Sequence, residues 1–292
     1  MKKIIILGSA ITCLFTSSYA NISVVAAENQ YGSVAKLIGG EKVDVTSIIS
    51  NADGDPHTFI SSVNNAKLLD SAQVIIYNGA DYDNWVNSIV KNNTKAVSIS
   101  AQSLIKPQSD SDLGVNPHLW YEPSTFDKMA QKLEATFTTL DPENKKYYQD
   151  NLDTFEKNYA EVYKMVDNIK ESYNGTPVTA TEPLFGYMST ALGLDMKGIH
   201  FQWVIMNDSE PTPKMMIKYQ DLLSQKKVDV LFYNEQVVSN ITKNILNLAK
   251  KNDIQVVGLT ETMPQDKNAI TWMISTLTNT KQALEKAKSF QS

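Results

Sequence analysis

Five side chains with acid–base or metal-binding chemistry follow separate apolar runs of this sequence. His57 comes shortly after VDVTSII, and His118 lies in the loop that follows AVSIS. Glu182 directly follows VTAT, and Glu261 directly follows VVGLT. One residue separates Glu235 from the run VLFY. Neutral imidazole nitrogens and carboxylate oxygens are ligands that suit zinc, manganese or iron. Such groups arriving from several loops indicate a divalent-metal site.

Each of these residues also has an ordinary structural interpretation. The separation between His57 and His118 matches no local metal-binding motif, so either histidine could instead cap a neighbouring backbone group. Glu182 could be an acid at a helix N-terminus, where the helix dipole favours negative charge. Glu261 could be a solvated turn residue. The residue types and their spacing therefore leave both readings open.

The apolar runs before these residues predict an α/β fold with mostly parallel sheets. Strands and amphipathic helices alternate along most of the chain, and in such folds ligands bind beyond the carboxyl ends of the strands. We predict strands at 21–27, 43–49, 73–79, 96–100, 178–181, 198–206, 228–233 and 255–260. We predict helices at 32–40, 64–72, 84–92, 123–140, 183–192, 214–225, 240–252 and 270–287.

A single apolar stripe predicts one long helix in the middle of the chain. Apolar residues recur at spacings of three and four, and Asp141 is a candidate N-cap in front of Pro142. The stripe consists of Leu152, Phe155, Tyr159, Val162, Val166, Ile169 and Tyr173. We predict a rigid helix at about 142–172 that joins two α/β lobes. The predicted domains are an N-terminal lobe at 21–140, a connecting helix at 141–173 and a C-terminal lobe at 174–292, with modest movement between the lobes.

The first twenty residues have the pattern of a secretory signal peptide. Lys2 and Lys3 precede the apolar run IIILGSAITCLF, and a small-x-small pattern ends at Ala20. We expect cleavage after Ala20, which would remove two lysines and make the formal net charge of −5 more negative by two. An acidic protein of this kind is a poor ligand for nucleic acid or for an anionic membrane surface.

Cys13 raises the alternative of a lipid anchor, because lipoproteins keep a cysteine after the apolar segment. Leu14 and Phe15 continue the apolar run beyond Cys13, and Thr12 is an unfavourable residue before a lipid-modified cysteine. These observations favour a periplasmic protein without a lipid anchor. Cleavage after Ala20 would leave no cysteine, which excludes disulfides and thiolate metal sites.

Several longer motifs resemble the solute-binding receptors of bacterial zinc and manganese ABC transporters. The order of lobe, long helix and lobe fits that family, and the resemblance covers nearly all of the chain after the signal peptide. The motifs are GDPH at 54–57, YNGADYDNWV at 77–86, NPHLWYEP at 116–123, IGGEKVDVTSII at 38–49 and TEPLFGYMSTALGL at 181–194. The resemblance implies two α/β lobes joined by a rigid helix, with a metal ion held in the cleft between them.

The resemblance also implies a set of four metal ligands, namely His57, His118, Glu182 and Glu261. The third position is often histidine in zinc-type members and glutamate in manganese-type members, and this chain has Glu182. The fourth is usually an aspartate in a turn similar to T-D-S. This chain has TET instead, so the longer side chain of Glu261 departs from the family pattern.

The identity of the ion stays open between zinc and manganese, and the sequence does not separate either from iron. Many zinc-type members carry a histidine-rich loop between the first two ligands, whereas the loop at 103–115 has Asp110 and Asp112 but no histidine. The lack of histidine in that loop and the glutamate at Glu182 both differ from the zinc-type members. The intrinsic affinity of nitrogen and oxygen sites favours zinc over manganese. We therefore expect Zn²⁺ or Mn²⁺ as the transported ligand.

The function implied by the resemblance is metal capture and delivery to an ABC permease, not catalysis. We expect a monomer that binds no nucleic acid. One alternative is a metal-dependent hydrolase with the same ligands and an open coordination position. The sequence contains neither a His-Glu-x-x-His helix nor a G-x-S-x-G motif to support it. The other alternative is an adhesin-like surface protein.

Three further residues could contribute to the site. Glu235 is predicted to accept backbone hydrogen bonds near the cleft or to orient a ligand. His200 lies in the segment predicted as a strand at 198–206, where a partly buried structural histidine is expected and a replacement ligand is the alternative. Tyr121 follows the second histidine motif and could line the site.

Overall fold

Residues 20–50, 59–110, 112–237 and 239–289 are described by a computed structural model, in which two four-stranded parallel sheets confirm the predicted α/β class. We call the part around the first sheet the N-terminal lobe. Its strands are β1 (Ile22–Glu28), β2 (Val43–Ile49), β3 (Val74–Tyr77) and β4 (Val97–Ser100), in the spatial order β2-β1-β3-β4. Nearly every residue of β1 is buried, which is typical of a parallel strand with both faces covered and explains its continuous apolar run.

Four helices and a short hairpin complete the N-terminal lobe. The helices are α1 (Asn29–Gly39), α2 (Val63–Ser71), α3 (Asn84–Asn92) and α4 (Thr125–Leu140). The hairpin pairs β5 (Ser109–Asp110) with β6 (Gly114–Val115) in antiparallel register. It lies in the segment that the sequence predicted as a surface loop.

The predicted long helix is α5 (Lys145–Tyr173), which has 29 residues. Its buried face contains the predicted stripe except for Tyr173, which is half-buried. The α-helix begins three residues later than predicted, because Pro142–Asn144 form a 3₁₀ turn. Asp141 accepts a hydrogen bond at 2.7 Å from the hydroxyl of Tyr148, so it braces this turn instead of capping the α-helix.

The C-terminal lobe surrounds the second sheet. Its strands are β7 (Pro177–Ala180), β8 (Asp195–Lys197), β9 (Val230–Asn234) and β10 (Gln255–Leu259), in the spatial order β10-β9-β7-β8. Its helices are α6 (Gly186–Ala191), α7 (Ile199–Met206), α8 (Pro213–Ser224), α9 (Asn240–Lys251) and α10 (Ala269–Ser289).

Both sheets have the same strand order when their strands are counted within each lobe. Read from the appropriate edge, each sheet runs second, first, third, fourth. The first strand connects to the strand on one side of it, and the third strand connects to the strand on its opposite side. The chain therefore runs in opposite directions from the boundary between the first and third strands, and such switch points form ligand crevices at the carboxyl ends of the strands. The topology therefore predicts that the ends of β1 and β3, and of β7 and β9, carry the functional groups.

One predicted strand is wrong. The segment at 198–206 forms helix α7, and the strand of this region is the short β8 before it. Gly198 has a left-handed conformation with φ of 76°, which turns the chain between the two elements. A short apolar segment does not show by its periodicity whether it is a strand or a helix. His200 is consequently exposed on α7, not partly buried in a sheet.

One hydrophobic core extends through both lobes. It includes Val24 from the first sheet, Tyr159 from α5, Phe232 from the second sheet and Trp272 from α10. A second hydrophobic cluster, which includes Phe201, is formed mainly by side chains of α7, α8 and α9. None of the helices in the described part has the length and hydropathy of a membrane span. The domain limits given above stay predictions.

Candidate metal site

Three of the four predicted ligands are buried in the described part of the chain. His118 and Glu261 are 0% exposed and Glu182 is 2% exposed. His57 lies outside the described residues. Burying a histidine and two carboxylates is costly unless hydrogen bonds or a cation compensate for the lost hydration. The partners of these three side chains therefore define the site.

Asn234 joins the two predicted carboxylate ligands. Its Nδ2 donates to Oε2 of Glu182 at 2.8 Å and to Oε1 of Glu261 at 2.6 Å. Asn234 ends β9, and the two glutamates follow β7 and β10, the strands on either side of it. The parallel register thus brings together two acids that are far apart in sequence. Two negative charges this close require donors or a cation to be stable.

Gln236 fixes the turn that carries Glu261. Its Oε1 accepts the backbone N–H of Glu261 at 2.6 Å and that of Thr262 at 3.1 Å. Its Nε2 donates to the hydroxyl of Thr262 at 3.1 Å. The sequence TET is therefore held in a defined conformation by an amide side chain that the sequence analysis did not identify.

Tyr82 connects the two lobes at the site. Its hydroxyl donates to Oε2 of Glu261 at 2.9 Å, and its ring centroid lies 6.4 Å from that of His118 in an edge-on arrangement. Gln30 adds a second link, since its Nε2 donates to the backbone carbonyl of Glu261 at 3.3 Å. A histidine of the N-terminal lobe and a carboxylate of the C-terminal lobe are thereby held beside the same tyrosine.

Asn116 sets the orientation and the tautomer of His118. Its Nδ2 donates to the carbonyl of Pro183 at 2.8 Å, and its Oδ1 accepts the backbone N–H of His118 at 3.1 Å, which fixes the amide orientation. The same Oδ1 lies 2.8 Å from Nδ1 of His118, so Nδ1 is the donor. The lone pair of the neutral ring is then on Nε2. This is the arrangement that metal-binding histidines use.

The turn that presents Tyr82 has an unusual backbone. Gly79, Ala80 and Asp81 have φ angles of 78°, 52° and 61°, and such left-handed residues persist where their surroundings hold them in place. The carboxylate of Asp83 accepts the N–H groups of Asn78 at 2.6 Å and Gly79 at 2.8 Å. The position of Tyr82 therefore depends on a buried aspartate that the sequence analysis missed.

A second unpredicted acid, Glu28, lies beside this turn at the end of β1. Burial, and after it the neighbouring Asp83 carboxyl, raises the pKa of Glu28 well above its ordinary value. Burial also raises the pKa of Asp83, to about 6, although the N–H groups of Gly79 and Asn78 act in the opposite direction. The N-terminal side of the site thus contains two acids with raised pKa values.

The remaining candidates lie away from these contacts. Glu235 is exposed and accepts a hydrogen bond at 3.2 Å from Tyr233, so the contact predicted for it is made by its neighbour Asn234. His200 lines a cavity of about 490 Å³ between α7 and α8, which none of the three described ligands borders. Tyr121 is buried, and its hydroxyl donates to the carbonyl of Thr260 at 2.9 Å, next to Glu261.

Within residues 20–50, 59–110, 112–237 and 239–289, no three histidine, cysteine, aspartate or glutamate side chains form a group that could hold a metal ion. The described part contains two carboxylates that accept hydrogen bonds from Asn234, and a histidine that lies beside Tyr82. The complete ligand set, which includes His57, stays a prediction.

Comparison with known families gives one match that spans most of the chain. Residues 24–283 match the family model described as "ZnuA: Zinc-uptake complex component A periplasmic". Two curated relatives are similar over most of their length. The manganese ABC transporter substrate-binding lipoprotein PsaA of Streptococcus pneumoniae is 26% identical over 262 residues, which cover 84% of this chain and 82% of the relative. The metal ABC transporter substrate-binding lipoprotein SsaB of Streptococcus sanguinis is 28% identical over 248 residues, which cover 79% and 77%.

Solved structures show the same fold at lower identity. The periplasmic zinc-binding protein TroA of Treponema pallidum has a TM-score of 0.78 at 15% identity, and the match covers 90% of this chain and 99% of TroA. The laminin-binding protein Lmb of Streptococcus agalactiae, described as bifunctional with adhesin and metal-transporting activity, has a TM-score of 0.76 at 19% identity, covering 90% and 100%. These likenesses support the architecture of two α/β lobes and a long helix.

The relatives correct the expected localisation. PsaA and SsaB are both named lipoproteins, which contradicts the expectation of a periplasmic protein without a lipid anchor. Cys13, the single cysteine of the chain, is the residue whose thiol such an anchor requires. The apolar residues after Cys13 and the unfavourable Thr12 were therefore weaker evidence than the presence of the cysteine itself.

Proposed function

Because this chain belongs to the family of zinc-uptake complex component A proteins, we propose that two histidines and two buried carboxylates hold the transported ion between the two lobes. The chain is a substrate-binding protein of a metal ABC transporter. It captures a divalent transition metal, zinc or manganese, for uptake through the permease. The proposed ligands are His57, His118, Glu182 and Glu261.

The observation that carries the ligand proposal is the pair of buried carboxylates that share Asn234. Glu182 and Glu261 have almost no solvent exposure, and one amide group provides a donor to both. A divalent cation would balance their charge. Tyr82 and Asn116 hold Glu261 and His118 in orientations suitable for coordination, as outer partners of metal ligands commonly do.

Two of the proposed ligands are carboxylates and two are imidazoles, which suits both zinc and manganese. Manganese is named for PsaA and zinc for the matching family. Intrinsic affinity favours zinc, so the available metal, not the donor set alone, decides which ion is carried. Since the ligands bind as deprotonated groups, acid should promote release of the ion.

The chain acts as a transport receptor and we propose that it performs no catalysis, is a monomer and binds no nucleic acid. The acidic net charge of −5 supports the last point. The hydrolase alternative gains no support from the residues around Asn234. Adhesin activity is described for Lmb, and no feature of the described residues favours it over metal transport.

The test is calorimetric titration of the metal-free protein with zinc and with manganese. We expect binding tighter than about 10 μM for at least one ion, equivalent to roughly 7 kcal/mol of binding free energy. His118→Ala should weaken binding by about 100-fold or more, beyond the loss typical of outer partners. His200→Ala, which changes an exposed histidine on α7, is the matched control and should bind as the wild type does. Weak binding of both ions by the wild type would refute the proposal.

A further inference from the structure

Glu28 and Asp83 form a buried carboxyl pair behind the turn that carries Tyr82. Glu28 is 0% exposed and Asp83 is 1% exposed. Their carboxyl groups lie within hydrogen-bonding reach of each other. In the described part of the chain, neither oxygen of Glu28 accepts a hydrogen bond from an N–H group of another residue. Two ionised carboxylates in this position would repel each other without compensation.

The backbone N–H groups of the turn are directed at Asp83, whereas the one backbone N–H that acts on the Glu28 carboxyl is its own and has the smallest effect on its pKa. The N–H groups of Asn78 and Gly79 each contact one oxygen of Asp83, at 2.6 and 2.8 Å. Hydrogen bonds of this kind stabilise the ionised form of a carboxyl group. The proton that the pair must hold therefore belongs mainly to Glu28.

We propose that Glu28 and Asp83 share one proton at neutral pH, and that Glu28, as the acid donating to Asp83, is a positioning residue for Tyr82. A protonated Glu28 acts as a third donor to Asp83 and completes the set that holds the left-handed turn. An ionised Glu28 would repel Asp83 and weaken its contacts with the turn. Tyr82 would then lose its fixed position opposite Glu261.

Among the described residues, the other titratable groups around the pair do not replace the proton. Burial, and after it the charges of both acids, raises the pKa of Tyr31 of α1, whose hydroxyl donates to Oδ1 of Asn78 at 2.6 Å. Tyr187 of α6 is a further, smaller cause of the raised pKa of Tyr31. From the second sheet, Glu261 reaches Tyr82, the neighbour of Asp83. None of these groups carries a positive charge, so they do not neutralise two carboxylates.

The shared proton is independent of metal binding, whereas the positioning role rests on the metal site proposed above. The first measurement is therefore infrared spectroscopy of the metal-free mature chain at pH 7. We expect a protonated-carboxyl band in the wild type that is absent from Glu28→Gln. Glu41→Gln, at a glutamate whose side chain is 76% exposed, is the control and should keep the band. An unchanged intensity of the band in Glu28→Gln would overturn the shared proton.

Unfolding of the same metal-free proteins gives a second readout. The native state keeps a proton that unfolded Glu28 releases above about pH 4.5, so the unfolding constant should rise with pH by up to about tenfold per unit. Glu28→Gln, which keeps a donor of similar shape but does not titrate, should have a flatter dependence between pH 5 and 8. An unchanged slope would contradict the proposal.

Zinc titration tests the positioning role. We expect Glu28→Gln to bind zinc within about threefold of the wild type and Glu28→Ala to bind about tenfold more weakly. Equal affinity of Glu28→Ala and the wild type would overturn the positioning role alone. Failure of every variant, including the wild type, to bind zinc or manganese would refute the proposed function, while the infrared band would still decide the shared proton. If Glu28→Ala does not fold, Glu28→Gln and the band decide the question.

Discussion

The two lobes share a strand order, yet the glutamates at the carboxyl ends of the first strands of the two sheets have opposite surroundings. In the C-terminal lobe, Glu182 follows β7 and accepts an N–H bond from Asn234 at the end of β9. In the N-terminal lobe, Glu28 ends β1, and Asn78 follows β3 at the corresponding place. Asn78 donates instead to two backbone carbonyls, each at 2.8 Å.

This difference shows how one topology can supply two kinds of acid. An amide that donates to a carboxylate stabilises its negative charge, so Glu182 is suited to face a cation. Without such a donor, Glu28 holds a proton and supports the turn. Mutations around Glu28 should therefore act mainly on stability, and mutations around Glu182 mainly on metal affinity.

The largest expected effect concerns the N-terminal lobe. Asp83→Ala removes the acceptor of two N–H groups in a left-handed turn and should lower the free energy of unfolding by about 3 kcal/mol, measured by urea titration. Asp44→Ala, at an exposed aspartate of the same sheet, should change it by less than about 0.5 kcal/mol. Similar losses in both variants would show that the turn has no special role.

The second effect concerns the C-terminal lobe. Asn234→Ala removes the donor shared by Glu182 and Glu261 and should weaken metal binding by about 10- to 100-fold, measured by calorimetry. Asn78→Ala is the counterpart in the other lobe. It should lower the free energy of unfolding by about 1–3 kcal/mol with a smaller change in affinity. If Asn78→Ala reduced affinity as much as Asn234→Ala, the proposed contrast between the lobes would not hold.

A smaller effect is expected where the lobes meet. Tyr82→Phe removes the hydroxyl that contacts Glu261 at 2.9 Å and should weaken metal binding by about three- to tenfold, corresponding to roughly 1 kcal/mol. Tyr233→Phe removes a hydroxyl that contacts the exposed Glu235 and should leave affinity unchanged. Equal affinities for all three proteins would exclude a role for the bond between the lobes.

The smallest effect should be on overall shape. The shared core and the bonds between the lobes should keep the radius of gyration nearly constant when metal is added, as measured by solution X-ray scattering. A large decrease would show that the lobes move as separate bodies. Proline substitution within α5 could then test whether that helix limits the movement.

Much of the fold could be predicted from the sequence because its signals are local. Buried parallel strands gave continuous apolar runs, and α5 gave a stripe with helical periodicity. The failure at 198–206 arose because a short, almost wholly apolar helix has no polar face that reveals its period. The strand β8 was missed because its three residues, DMK, carry no apolar pattern.

The candidate site was predictable in part, since the rule of polar residues beyond strand ends pointed to His118, Glu182 and Glu261, all of which the structure buries. It favoured Glu235 over Asn234 because charge was taken as the stronger signal. Successive strand residues point to opposite faces, so only one of the two could face the site, and the sequence does not show which. Glu28 satisfies the same rule as Glu182 and could have been found. The contacts of Asp83 depend on a left-handed turn that no periodicity indicates.

The hydrophobic core that passes through both lobes has a consequence for folding. Strands from the two sheets, α5 and α10 all contribute side chains to it, so neither half of the chain encloses a complete interior. A fragment that ended within α5 would expose much of that interior to water and should be insoluble or molten. The full chain should instead unfold in a single cooperative transition, although it contains two sheets that do not pair with each other.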